Sequence, residues 1–215
     1  MRTVGINLIV VLALLIATPS TPAQEVIDRI VARVDTDVIL LSDVRMLARY
    51  QTFADGKSQS DADILDRLID QWIVRNEAKA ALYPQPSEEE VNRSLQRLKR
   101  SFSSDVSFEE RKKQSGISDE EVLRMLRLQL YLSNYLDSRF RASIHIDEKE
   151  IEEFYRTRVL PRAESRGQAP PALDAAKDFI QEALVQRAIN MQADRWLKES
   201  RARVHVDKLM SESPK

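Results

Sequence analysis

The chain has 215 residues, with 33 Lys and Arg against 34 Asp and Glu, and it contains no cysteine. A net charge of −1 provides no electrostatic drive toward nucleic acid, so no nucleic-acid partner is expected. The lack of cysteine excludes disulfides, thiol chemistry and a lipid-modified N-terminal cysteine.

Residues 1–23 have the pattern of a cleavable signal peptide. Arg2 is followed by an apolar run over residues 6–17, and small residues precede a predicted cleavage site after Ala23. The run is shorter than the about 20 apolar residues of a membrane span, so no stable span is expected after cleavage. An uncleaved signal anchor stays open as an alternative. Export of a chain without cysteine predicts a periplasmic location.

A β-hairpin is predicted directly after the leader. Apolar residues alternate along its first strand and are expected to face the core: Ile30, Ala32 and Val34. Residues 35–37 supply the turn, residues 38–41 form the second strand, and Ser42 is placed to cap the first helix.

A series of helices follows, because the pattern Ser-x-x-Glu recurs as a capping signal at Ser87, Ser107 and Ser118. Asp147 is a weaker signal, and Ser60 or Asp61 caps a helix that Pro84 and Pro86 stop after Leu82. Trp72 is expected to be a core anchor. The helix after Ser118 is apolar around much of its circumference, which predicts a central position.

The last part of the chain contains a break and a long helix. Residues 160–172 are predicted to be an exposed linker, and residues 173–207 a helix and strand, followed by a flexible tail over 208–215. The helix has one apolar stripe: Leu173, Ala176, Ile180, Leu184, Ala188 and Met191. Short strands are predicted at 144–146 and 204–206, and each turns its histidine, His145 or His205, outward. Neither histidine has a third ligand nearby, so no metal site is predicted. The fold class is therefore mainly α with a small β-sheet from the hairpin and the C-terminal strand.

The order of these elements resembles the SurA family of periplasmic chaperones for outer-membrane proteins. The resemblance covers residues 26–155 and rests on the hairpin, the pattern of residues 64–74, the Ser87 start, the junction at 116–118 and residues 144–151. It implies a SurA-N-like helical chaperone domain over residues 24–159, which residues 173–207 complete.

Members of that family commonly also carry a parvulin domain with prolyl isomerase activity. A parvulin domain of that kind needs on the order of a hundred residues, and residues 156–172 form only a short connection that contains proline. The parvulin domain is therefore expected to be absent. No nucleophile motif, phosphate loop or metal cluster is evident either, so neither an enzyme nor a cofactor is expected.

The resemblance implies an ATP-independent holdase that takes part in outer-membrane protein assembly by binding unfolded polypeptides in an apolar groove. Eight residues are candidates for the groove, although each could pack in the core instead: Met46, Leu47, Tyr50, Phe53, Phe102, Met125, Leu128 and Tyr131. A cluster of basic residues over 93–113 suits either an acidic membrane surface or, with the neighbouring glutamates, a solvated salt-bridged face. The alternative function is a non-catalytic interaction or scaffold protein of the cell envelope with one dedicated partner.

Overall fold

The computed structural model describes residues 28–57 and 59–210. The expected leader, its cleavage site and residues 211–215 of the expected tail lie outside the described residues. The strands are β1 (Ile30–Val34), β2 (Asp37–Leu40) and β3 (Val206–Lys208). The helices are α1 (Leu41–Asp55), α2 (Asp61–Ala80), α3 (Glu88–Arg100), α4 (Asp105–Ser115), α5 (Asp119–Phe140), α6 (Glu148–Phe154), α7 (Leu160–Ser165) and α8 (Leu173–Arg201). The predicted fold class, mainly α with a small sheet, is confirmed.

The sheet has the order β2-β1-β3, and both pairs are antiparallel. A two-residue turn joins β1 to β2, and its first residue, Asp35, has a φ of 51°. Aspartate tolerates this left-handed conformation better than most residues do. Asp35 also accepts a hydrogen bond at Oδ1 from the amide of His205, at 2.9 Å, and its own amide donates to the His205 carbonyl at 2.9 Å. Asp35 therefore fixes the position of His205, the residue that precedes β3.

A β-bulge in β1 changes which residues face the core. The register with β2 shifts between Ile30 and Ala32, so that Val31 and Ala32 are both buried while Ile30 is exposed. The prediction that Ile30 faces inward was therefore wrong. The bulged Val31 carbonyl accepts a hydrogen bond from the amide of Leu209 at 2.9 Å. A bulge places two residues opposite one, which breaks strict alternation.

Four predicted helix caps are confirmed, at Ser60, Ser87, Ser118 and Asp147. Two other predictions were wrong by one turn or less. The first helix begins before Ser42, and Asp43 accepts the hydrogen bond from the Leu40 amide at 2.9 Å. The fourth helix begins at Asp105, where Ser104 is the cap and Ser107 is the third helical residue. In both cases a polar side chain near the predicted cap performs the capping.

The main core lies between the sheet and the first five helices. Helix α5 packs against α1, α2, α3 and α8, which confirms its predicted central position. Trp72 is buried in this core, as its spacing predicts. A second cluster continues the core along α5, where Tyr83 packs against Tyr131 and Tyr135. The helices thus form a bundle with the sheet at one end of α1.

Helices α6 and α7 are joined by a π-helical turn over Tyr155–Val159. Pro161 is the second residue after this turn. It has no amide hydrogen to donate to the carbonyl four residues earlier, and the wider turn accommodates this. The predicted linker over 160–172 therefore begins with a short helix, and only its second part is irregular. Proline at the first turn of a helix is compatible with helical backbone.

The elements α6, the π-helical turn, α7 and the first half of α8 form what we call the helical extension. It has its own small core, in which Ile151, Ala176 and Ile180 are buried. Ile146 packs against this cluster from an irregular segment, so the strand predicted over 144–146 was wrong. The side chain of Ile146, which the alternating pattern assigned to a sheet, packs in the helical extension instead.

Helix α8 changes its buried face along its length. Ala176 and Ile180 are buried in the extension, whereas Ile189, Ala193 and Ser200 are buried farther along the helix. Met191, predicted to lie on one continuous stripe, is 55% exposed. A single stripe fits a helix that packs against one neighbour, and α8 contacts α6 in one half and the main bundle in the other.

The C-terminal end of α8 is tied to α2 by ion pairs. Arg201 donates to Asp70 at 2.9 Å and also to Asp66, and Lys208 of β3 donates to Asp66 at 2.8 Å. Burial opposes ionisation of Asp66, but the hydrogen bonds from Lys208 and Arg201 outweigh it and hold the pKa of Asp66 below its ordinary value. At Asp70 burial prevails over the charge of Arg201 and raises the pKa.

Candidate functional site

An apolar cleft of about 350 Å³ opens between β2, α1, α2 and α5. Eight of its twelve lining residues are apolar: Val38, Ile39, Met46, Leu47, Leu68, Trp72, Met125 and Leu128. The volume is near the lower end of the range for ligand sites, about 300–1,000 Å³. The cleft therefore has room for a few apolar side chains and not for a folded surface. We call it the apolar cleft.

Each wall of the apolar cleft comes from a residue at a predictable position in its element. Val38 is 46% exposed because the edge strand β2 turns it away from the core. Leu68 and Trp72 are one turn apart on α2, and Trp72 donates from Nε1 to Asp37 Oδ2 at 2.7 Å. This hydrogen bond fixes the indole ring beside β2. The wall formed by α2 is thus locked to the hairpin.

The remaining lining residues give the cleft a mixed charge at its rim. Asp43 accepts a hydrogen bond from the Leu40 amide, while Arg75 lies at the border and has no ion-pair partner within residues 28–57 and 59–210. Arg124 pairs with Glu120 at 3.3 Å and lies 4.0 Å from the Met46 sulfur. Charges of both signs therefore lie at the rim of the cleft.

Four of the eight predicted groove residues line this cleft, namely Met46, Leu47, Met125 and Leu128. Leu47 and Met125 are buried and form its floor, whereas Met46 and Leu128 are partly exposed at its sides. Methionine side chains are flexible and polarizable, and they adapt to varied apolar partners.

The other four predicted residues lie elsewhere. Phe53 is fully buried, and its ring centroid is 5.5 Å from that of Phe102 and 5.2 Å from that of Phe108. This cluster pins the loop between α3 and α4 to the core. Tyr131 is buried in the second core cluster, and Tyr50 borders a different cleft. The eight residues therefore do not form one groove.

A second cleft, of about 460 Å³, lies between α1, α2, α3 and α5. Its lining is mainly polar, so we call it the polar cleft: the polar members are Tyr50, Gln51, Asp55, Arg67, Gln71, Ser94, Arg97, Ser101 and Gln129. Leu47 and Gln71 line both clefts, so the two clefts adjoin at these side chains.

The polar cleft holds a phenol that stays protonated. Burial, together with the charge of Asp55, raises the pKa of Tyr50 to about 12. The Tyr50 hydroxyl donates to Gln129 Oε1 at 2.9 Å. A hydroxyl with so high a pKa acts as a hydrogen-bond group and not as a base near neutral pH.

Two glutamines in the polar cleft have buried acceptors without partners. Gln51 is only 7% exposed, and its Oε1 has no hydrogen-bond partner among the described residues. The Oε1 of Gln71 is in the same situation. A buried carbonyl normally has a partner, so each unsatisfied one calls for an explanation.

Of the residues that line the polar cleft, the sequence predicted Leu47 and Tyr50 as binding candidates but neither glutamine. The sequence pattern could have indicated Val38 and Leu68 as lining residues of the apolar cleft. Val38 is an outward residue of an edge strand, Leu68 is four residues before Trp72, and both are next to the predicted first helix. Gln51 and Gln71 carried no such signal, because a glutamine on a helix is usually exposed and polar.

Part of the basic region is paired with glutamates and aromatic rings. Arg93 pairs with Glu89 at 2.6 Å, and Lys112 with Glu109 at 2.6 Å. Lys112 also lies 5.7 Å from the centre of the Phe108 ring. These contacts favour the solvated, salt-bridged interpretation of the region.

The described part of the chain offers no metal centre. Between residues 28 and 210, with residue 58 left out, no three or more acidic, histidine or cysteine side chains are grouped to hold a metal ion. His145 and His205 are both exposed.

Neither protein-family models nor curated protein sequences give a significant match to this chain. Within the described residues, none of the helices has the length and apolar character that crossing a membrane requires.

Proposed function

We propose that this protein is an ATP-independent periplasmic chaperone that binds unfolded polypeptides, outer-membrane proteins among them, through the apolar cleft. The observation that carries the proposal is the clustering of Met46, Leu68, Leu128 and Val38, all partly or well exposed, around one opening of about 350 Å³. The resemblance of the element order to the SurA family supports the same function.

The size and lining of the apolar cleft suit weak and reversible capture. Burying one aliphatic or aromatic side chain contributes about 1.5–3 kcal/mol. Two such side chains therefore correspond to dissociation constants near the millimolar range. A holdase needs this regime, because it must release each client without nucleotide. Two methionines in the lining allow different apolar side chains to be accommodated.

Light scattering tests the proposal. A urea-denatured outer-membrane barrel protein and an unrelated soluble protein are each diluted into buffer with the purified chain and no nucleotide. We expect suppression of aggregation of both, growing with the concentration of the purified chain and requiring a large molar excess over the client, because capture by the apolar cleft is weak. Suppression of neither would refute the holdase, and saturable binding of one envelope protein alone would favour the scaffold protein.

A matched pair of variants connects the activity to the apolar cleft. Val38→Glu places a charge at its opening, whereas Val106→Glu makes the same change on α4 at a residue that is 65% exposed and lines neither cleft. We expect Val38→Glu to lose most of the suppression and Val106→Glu to retain it. Circular dichroism of both variants verifies that each is folded.

A further inference from the structure

We propose that the polar cleft binds the main chain of an extended polypeptide, with Gln51 and Gln71 accepting hydrogen bonds from its amide groups. This inference rests on the proposed function and deepens it, since it identifies what part of a client is recognised beside the apolar cleft. Its starting point is the pair of buried glutamine carbonyls without partners.

An unpartnered acceptor defines the chemistry of its ligand, which must donate a hydrogen bond. Both oxygens are buried on residues that line the cleft, and the terminal torsion of glutamine is broad and soft, so each amide can reorient toward a donor that enters. Such a rotation is favourable when a donor is present, because a buried polar group without a partner is costly.

The rest of the lining supplies the complementary groups. Arg67 and Arg97 are exposed at this cleft, and no ion-pair partner for either is found within residues 28–57 and 59–210. Their guanidinium groups only donate. A polypeptide main chain offers one donor and one acceptor per residue, so it matches a cleft with both orphaned acceptors and free donors.

The position of Gln71 links this cleft to the apolar one. Gln71 and Leu47 line both clefts, so a chain that places apolar side chains beside Leu128 can continue past Gln71 toward Gln51. Main-chain hydrogen bonds do not depend on the client's sequence. Recognition of this kind combines loose side-chain selection with a backbone contact that every client provides.

The probe for the test is a fluorescein-labelled nonapeptide of alternating leucine and alanine, together with a second version N-methylated at alternate residues. The binding of both is measured by fluorescence anisotropy. We expect the N-methylated peptide to bind the unaltered protein about tenfold more weakly, which corresponds to two lost hydrogen bonds of about 0.7 kcal/mol each.

The double variant Gln51→Met and Gln71→Met keeps the length of both side chains and removes both acceptors. We expect it to bind the unmethylated peptide about tenfold more weakly and to bind the N-methylated peptide as the unaltered protein does. Gln96→Met, at an exposed position of α3 that lines neither cleft, is the matched control and should bind normally.

Two results would overturn the inference and are distinguishable from failure of the proposed function. If the unaltered protein suppresses aggregation but binds both peptides equally, the proposed main-chain contact is refuted and the proposed holdase function stands. Binding of inorganic phosphate that displaces the peptide and ignores the glutamine changes would assign the polar cleft to an anion instead. A protein that neither binds the peptide nor suppresses aggregation would overturn both proposals. If the double variant fails to fold, the difference in affinity of the unaltered protein for the two peptides still tests the main-chain contact.

Discussion

At the scale of single residues, Trp72 joins the hairpin to α2 through one hydrogen bond. Its indole donates to Asp37 Oδ2 at 2.7 Å, across 35 positions of sequence. The residue is also part of the apolar cleft. The geometry of this wall therefore depends on a polar contact as well as on packing.

Replacement of Trp72 by phenylalanine should cost about 2–4 kcal/mol of unfolding free energy. The change removes the hydrogen bond to a carboxylate and leaves a space beside the core. Urea unfolding followed by far-UV circular dichroism measures the loss. Asp37→Asn keeps an acceptor for the indole, so its loss should be smaller, and equal losses would mean that the charge of Asp37 matters more than the bond.

The burial of Trp72 could be predicted from spacings of four along α2, because a helical stripe is a local property. Its partner Asp37 could not, since the contact depends on how the β-turn sits above the helix. The same limit applies to Phe53 and Tyr131, which the composition made candidates for a groove and which packing places in the core.

At the scale of elements, helix starts were the most predictable features and strand details the least. Ser87 and Ser118 cap their helices through contacts three residues away, which the sequence displays directly. The bulge at Val31 depends on pairing with both β2 and β3, and no local pattern displays it. Pro161 lies in the predicted linker, but the π-helical turn before it allows the helix to continue.

The connection of α2 to the C-terminal elements predicts a pH dependence. The pKa of Asp66 is held below its ordinary value, so its contribution to stability is complete above the unfolded-state pKa of about 3.9 and is lost as the pH falls through the folded-state pKa. Asp66→Asn should therefore lower the unfolding free energy by about 0.5–1 kcal/mol at pH 7.

The difference between Asp66→Asn and the unaltered protein should shrink as the pH falls below the unfolded-state pKa, and it should vanish once the carboxyl is protonated in the folded state as well. Chemical unfolding at a series of pH values measures it. Glu110→Gln, at an exposed position of α4, is the control and should change stability by less than about 0.5 kcal/mol. A difference for Asp66→Asn that stays the same at every pH would mean that packing and not charge is responsible.

At the scale of the whole molecule, the main bundle and the helical extension have separate cores that share α8. The sequence predicted the long helix and the break before it. It did not predict two buried faces on one helix, because the second face exists only where α6 folds back against α8.

Ile180→Ala should loosen the helical extension and leave the main bundle intact. The residue is fully buried, and its truncation leaves a cavity that costs about 2–4 kcal/mol. Hydrogen exchange should accelerate in α6 and the first half of α8, while the centre of α5 keeps its protection. Phe179→Ala, at a residue that is 76% exposed, should change little. Uniform acceleration along the chain would mean that the two cores unfold together.

Because β1 pairs with both β2 and β3, the sheet is completed only after the residues of β3 have been synthesised. During synthesis β1 meets β2 almost at once, but Ala32 must wait for Lys208, close to the other end of the described chain. Until then one edge of β1 stays open, and open edges are where nascent chains pair with the wrong neighbour. Closure of the sheet is thus a late, long-range event, and a chain cut short before Val206 keeps that edge exposed however well its helices have formed.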